Sequence, residues 1–205
     1  MVAPASDGRT VRKVADWTSL TYVAVDVEGN GHQPPDLVEL AAVPIVAGTV
    51  GVPASWLVKP KTSITRFAAR IHGLTNADVA DAPVFEEIRG QVLHALNAPA
   101  IVAHNAHVDV DVLRRELRDW ETPEVFDTLK LARRLIPSQR SYKLGALAAA
   151  LKLAEGLPDG LSAHRASYDA LVAARLFVEL ARRTSSLEEL RGASAGGEDE
   201  PAALF

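Results

Sequence analysis

The order in which hydrophobic patterns succeed one another constrains this chain's fold more than any other feature. Three apolar, β-branched runs come first: Tyr22-Val23-Ala24-Val25-Asp26-Val27-Glu28, then Leu37 to Val46, then Val50 to Val58. Each reads as a strand. Gly29-Asn30-Gly31 and Pro34-Pro35 separate the first two, and Gly48-Thr49 turns the second into the third. Pro44 has no amide hydrogen to give to a ladder, so a bulge or strand end is expected there. Strands joined by short turns predict an antiparallel meander. The pattern then changes period. Thr75 or Asn76 is placed to cap a short helix, and Phe85 to Leu96 is amphipathic. Ala100 to Ala103 is a short buried strand, Val108 to Trp120 a helix, and Glu124-Val125-Phe126 another strand. Helices follow over Thr128 to Leu135, Leu144 to Leu153 and Arg165 to Arg183. Strands first, then helices alternating with strands, predict an α/β fold: a mixed five-stranded sheet with flanking helices on both faces.

The 205 residues suffice for one domain with a sizeable core. Residues 1–18 read as a polar N-terminal arm, 19–184 as the domain, and 185–205 as an acidic, disordered tail. Cysteine is absent, which excludes disulfides, a thiolate zinc site and a cysteine nucleophile. No run of about 20 apolar residues exists and the first residues lack an apolar signal core, so a cytoplasmic protein without a membrane partner is expected. The formal charge of −4 is not that of a strongly basic nucleic-acid binder. The charges are unevenly placed, however. From Thr128 to Ala154 there is no acid, while Lys130, Arg133, Arg134, Arg140, Lys143 and Lys152 fall there. That stretch is either a track for a phosphate backbone or a solvated helix face.

Several acids sit where acids are costly. Residues two apart in a strand share a face, so Asp26 and Glu28 lie with Tyr22 and Ala24. They occupy the carboxyl end of the first strand, where open α/β sheets place ligands. Adjacent carboxylates repel, and a hard divalent cation such as Mg²⁺ or Mn²⁺ suits an all-oxygen site. A solvated pair at a strand end is the plainer alternative. Asp109 lies four residues before Leu113, on the inward face of its helix; an acid favoured by the helix dipole would look the same. Asp169 falls along the apolar stripe of the last long helix, one position from Ala170. His164 is five residues earlier, a turn of about 140°, which puts it in the approach to that helix instead of on the face of Asp169. Four inward acids and one imidazole form a set suited to two-metal hydrolysis, with the histidine as proton acceptor.

Asp26-Val27-Glu28, Ala103-His104-Asn105-Ala106-His107-Val108-Asp109 and His164-Arg165-Ala166-Ser167-Tyr168-Asp169 resemble, in this order, the three motifs of the DEDDh 3′–5′ exonucleases. Val38-Glu39-Leu40, Ile71-His72-Gly73-Leu74-Thr75, Phe126-Asp127-Thr128-Leu129 and Tyr142-Lys143-Leu144 add to the likeness, which spans about residues 20–182. The resemblance implies a ribonuclease H-like fold and two divalent cations. Asp26, Glu28 and Asp169 would hold the nucleophile-side ion, Asp26 would bridge to the second, and Asp109 would hold that one. His164 would be the general base. Gly29 and Asn30 would meet the 3′-terminal nucleotide through backbone groups. His72, Gly73, Leu74 and Thr75 would touch its base or sugar, with Leu74 as an apolar wedge or, more blandly, a helix-flanking residue. Asn105 of the second motif, with Arg140 and Lys143 of the acid-free stretch, completes the expected substrate contacts. Two departures stand out: Gly29-Asn30 replaces the usual hydroxyl pair, and Val108 replaces the usual phenylalanine. The implied partners are 3′ ends of single-stranded DNA or RNA, with a DNA polymerase as a further partner if the chain is a proofreading subunit. A non-catalytic nucleic-acid-binding module is the alternative from another class, but it has no use for the four acids and the histidine.

Overall fold

β1 (Tyr22–Gly29) runs through the middle of a six-stranded mixed sheet in this computed structural model, which describes residues 16–192. β2 (Leu37–Val46) pairs with it antiparallel, placing Glu39 opposite Glu28. On the other side β5 (Ala100–Ala103) is parallel to β1, and β6 (Glu124–Asp127) is parallel to β5. Beyond β2 lie two short segments, β3 (Thr49–Val50) and β4 (Ala54–Leu57). The run expected as one strand over Val50 to Val58 is therefore broken in two, giving six strands in five ranks. The cause is Pro44. It offers β3 and β4 no amide, the register slips by one residue between the Ile45–Val50 and Ala42–Ala54 pairs, and the Gly51 N–H donates to the Pro44 carbonyl at 2.8 Å. The β1 side of Pro44, opposite Val23, keeps its register.

The period of two along β1 sorts its side chains between two cores. Tyr22 and Ala24 face a cluster built on α4 (Thr128–Leu135), α5 (Leu144–Ala150) and α6 (Ala166–Ala181). Val23 and Val25 face α2 (Phe85–Ala95) and α3 (His107–Glu116). The first cluster holds Phe177 of α6, whose ring meets Tyr22 at 4.7 Å and Phe126 at 5.6 Å between centroids. Extending the same alternation past Val25 sends Asp26 and Glu28 toward the α6 side. Eleven of the sixteen residues of α6 are buried and apolar, so burial anchors it, and its first turn is thereby fixed beside the end of β1.

One helix precedes the place where a cap was expected. α1 (Arg66–His72) is capped by Thr65, whose hydroxyl accepts from the Ala68 N–H, and ends at Gly73 with φ 77°. Thr75 instead opens a turn, its amide and hydroxyl donating to Asp78, and Asn76 accepts from the Ile64 N–H. Both ends of the domain extend past 19–184. Trp17, in a 3₁₀ turn over Trp17–Ser19, is buried, and its carbonyl accepts from the Tyr22 hydroxyl at 2.6 Å. Leu187 and Leu190 of α7 (Leu187–Arg191) are also buried, so the stretch expected as a tail begins as a packed helix. Residues 1–15 and 193–205, with most of the proposed arm and the acids at 198–200, lie outside the described residues. Among the described residues no helix is long and apolar enough to cross a membrane.

Candidate active site

Asp26, Glu28 and Asp169 converge at the end of β1: each offers a carboxylate oxygen, and the three lie within 4.8 Å of one another. Asp109, at the start of α3, is 5% exposed and closes the other side, accepting from the Val27 N–H at 3.0 Å. Alternation in β1 and the first turns of α3 and α6 thus bring together the four acids picked out in the sequence. Among the described residues no lysine or arginine pairs with Asp26, Glu28 or Asp109. Burial followed by the Asp109 charge drives the Asp26 carboxyl well above the ordinary carboxylate range. Burial, then Asp169, pushes Glu28 up to about 8. Burial pushes Asp109 up to about 7 and raises Asp169. Clustered carboxylates that hold protons this tightly are short of positive charge, so the donor set fits hard divalent cations.

His164 approaches from the loop before α6. Its Nδ1 lies 4.0 Å from Asp169 Oδ2, its side chain is 65% exposed, and its backbone N–H donates to the same oxygen at 3.1 Å. Its φ of 62° is left-handed, a conformation unusual outside glycine and concentrated at functional sites. What holds this loop is a pair not singled out among the site residues. Glu39 of β2, 3% exposed, accepts from Arg165 Nε at 2.9 Å, Arg165 Nη2 at 2.7 Å and the Ala166 N–H at 3.0 Å. An acid on the α6 side of β2, opposite Glu28, was the available signal.

The implied substrate contacts are placed less uniformly. Asn30 is fully buried and consumed. Its amide donates to Asp36 and Thr62, its Oδ1 accepts from the His32 and Asp36 amides, its own N–H donates to the Asp36 carbonyl, and its carbonyl accepts from Thr65. A Cβ on Gly29 would meet Pro35 at 2.8 Å, so close packing suffices to require glycine there. His72 is buried as well: its Nδ1 accepts from the Leu74 N–H at 3.1 Å, which makes Nε2 the donor to the Gly29 carbonyl at 3.3 Å. Burial lowers its pKa, consistent with that neutral form. Leu74 packs with Val38, Ile64 and Ala68 at 4% exposure and does not project as a wedge. Gly73 and Thr75 are exposed. Asn105 is half-buried with φ 66°, its N–H donating to Asp127.

Arg140 and Lys143 are exposed on either side of Tyr142. A residue outside the expected set latches that loop: His104 bonds the Tyr142 carbonyl through Nε2 at 2.9 Å and Thr128 Oγ1 through Nδ1 at 2.9 Å. Arg134 leaves the expected cationic track, because it donates to the Glu189 and Leu190 carbonyls and holds α7.

A mixed sheet with carboxylates gathered at the end of its central strand, under the first turns of two helices, defines the ribonuclease H-like exonuclease class. The RNase T exonuclease family matches residues 23–177, and the chain belongs to this family. Exodeoxyribonuclease 10 of Escherichia coli K12 is 37% identical over 156 residues, covering 76% of this chain and 66% of that protein. The 3′-5′ exonuclease DinG of Bacillus subtilis is 33% identical over 177 residues, covering 83% of this chain and 18% of DinG. The chain thus spans just under two thirds of one curated relative and under a fifth of the other. A solved structure of Exonuclease X in complex with 5′ overhanging duplex DNA matches with a TM-score of 0.70 at 36% identity, covering 82% of this chain and 96% of that one.

Proposed function

We propose that this chain removes 5′-nucleotides one at a time from the 3′ end of a DNA strand, with His164 as general base. The observation that carries this reading is the group of three carboxylate oxygens within 4.8 Å of one another, with the His164 ring beside one of them. Asp26, Glu28 and Asp169, with Asp109, would hold divalent cations, Mg²⁺ or Mn²⁺, which supply charge to the terminal phosphate and lower the pKa of the attacking water. The chain's own part is placement. Glu39 and Arg165 fix the first turn of α6, and with it Asp169. Asp169 in turn holds the His164 backbone and faces its Nδ1, which leaves Nε2 to take the proton from water. Water's oxygen bonds to the terminal phosphorus, the bond to the preceding sugar's 3′ oxygen breaks, and that oxygen is protonated. DNA as substrate is supported by the exodeoxyribonuclease relative and by the DNA held by Exonuclease X.

A 5′-labelled single strand incubated with the chain and Mg²⁺ or Mn²⁺ tests this. A ladder shortening from the 3′ end, abolished by Asp26→Asn and reduced at least about 100-fold by His164→Ala, is the expected result. Release of the 5′ label as a mononucleotide before any shortened labelled strand appears, or full activity in Asp26→Asn, contradicts it. Turnover by the chain alone also separates a self-sufficient enzyme from a subunit that needs a polymerase.

A further inference from the structure

α1 carries an exposed face that the catalytic reading leaves unused. Phe67 is 65% exposed and Ile71 44%, and their spacing of four residues stacks them on one side of the helix. The opposite side, Ala68 and His72, is buried. Single exposed apolar residues need no explanation. This pair differs in its company and in its mounting. Arg66 and Arg70 flank it on the same short helix, Lys61 precedes it, and all three are exposed. From Leu40 to Ala77 the sequence has no acid at all. The mounting is rigid and sits next to the carboxylates. Thr65 donates to the Asn30 carbonyl at 2.9 Å, and His72 to that of Gly29, the neighbour of Glu28. A Cβ on Gly31, at φ 84°, would collide with Thr65 Oγ1, so only glycine lets α1 approach the loop this closely. Phe67 stands five residues before His72, about 7.5 Å along the helix axis.

We propose that this face binds single-stranded nucleic acid, with Phe67 stacked on an unpaired base upstream of the scissile end and Arg66, Arg70 and Lys61 drawing in the phosphates. It rests on the exonuclease reading only for the direction in which the strand runs. An exposed aromatic ring flanked by cations matches the surfaces that hold single strands regardless of sequence. Two apolar side chains on a seven-residue helix fall well short of the roughly 800 Å² per partner of a stable protein interface, which argues against a protein occupant.

Fluorescence anisotropy of a labelled 12-nucleotide oligo-dT, in EDTA so that no turnover intervenes, reads the contact directly. Stacking on one ring predicts that Phe67→Ala weakens binding by about 5- to 150-fold. Phe67→Trp should bind as well as wild type, and Phe67→Leu, which keeps apolar bulk without a π face, should bind as weakly as the alanine variant. Arg66→Gln with Arg70→Gln should lower the salt dependence by about 0.7 in logarithmic slope for each contact removed. Wild type without saturable binding, Phe67→Ala within twofold of wild type, or Phe67→Leu equal to wild type overturns the proposal. Hydrolysis of thymidine 5′-(p-nitrophenyl phosphate), too short to reach Phe67, Arg66 or Arg70, should be unchanged in every variant. Failure of wild type on that substrate and on oligonucleotides would count against the exonuclease reading and leave the binding result standing.

Discussion

Removing the Glu39 carboxylate tests whether the catalytic loop is held from a distance. Glu39→Ala strips three hydrogen bonds from Arg165 and the Ala166 amide, at 2.7 to 3.0 Å, and leaves a guanidinium without its partner. Breaking a fully buried ion pair by deleting one member costs about 3–5 kcal/mol. The Arg165 side chain is 35% exposed and keeps part of its hydration, which brings the expected loss to about 2–4 kcal/mol. For a domain of this size that is a fall of about 4–16 °C in Tm. The consequence for turnover is separate. Arg165 adjoins His164, and the amide lost belongs to the first residue of α6, so both His164 and Asp169 lose their reference point; a displacement of about 1 Å costs on the order of 100-fold in rate. Assayed well below the variant's Tm, kcat should fall about 10- to 100-fold while KM for a single strand moves little, since Glu39 is buried and offers no surface to a strand. Glu39→Gln should lie between. In a double-mutant cycle Arg165→Ala should add little to Glu39→Ala. A variant with Tm within about 2 °C and kcat within about threefold of wild type would refute the reasoning.

Other consequences are open to measurement. Glu28 and Asp109 titrate near 8 and 7 when folded, against 4.5 and 3.8 ordinarily, so the folded metal-free protein binds their protons more tightly than the unfolded chain does. Their contribution is therefore full below about pH 4 and is lost as pH rises toward 8, at up to about 1.4 kcal/mol per pH unit per group. In EDTA, Asp109→Asn should raise Tm at pH 8 more than at pH 5; an equal or larger gain at pH 5 contradicts this. Burial lowers the pKa of His104 below 6.5, so its contribution is full above that value and is lost as pH falls through and below it. His104→Gln should flatten the Tm profile between pH 7 and 5 and raise KM by releasing the Arg140–Lys143 loop; an unchanged slope refutes the neutral imidazole. Leu190 is fully buried, and Leu190→Ala should cost about 2–5 kcal/mol in denaturant unfolding, whereas an unchanged midpoint would mean α7 is dispensable.

The sheet, the two cores and the catalytic acids were legible because each follows from a periodicity. Alternation along β1 puts Asp26 and Glu28 on one side, and helical spacing turns Asp109 and Asp169 inward. Three kinds of feature were not. The break at Pro44 depends on which neighbour needs the missing amide, which only pairing reveals. α1 has seven residues, with two arginines and two exposed apolar side chains, so it shows no clear stripe. Buried polar groups such as Asn30, Glu39 and His72 read as loop or motif residues until their partners, brought from distant segments, are in place. For the same reason Asn30, expected to meet the nucleotide, has its polar groups spent on the fold, Leu74 takes the helix-flanking alternative, and Arg134 holds α7.

In the proposed chemistry Asp26, Glu28, Asp109 and Asp169 together hold two divalent cations. Calorimetric titration of Mn²⁺ into the wild-type chain and into Asp26→Asn counts those ions. Two bound ions are expected in wild type and loss of binding in Asp26→Asn, with release of protons from the carboxylates on binding at pH 7. Equal binding by the two proteins, or none by wild type, would contradict this assignment.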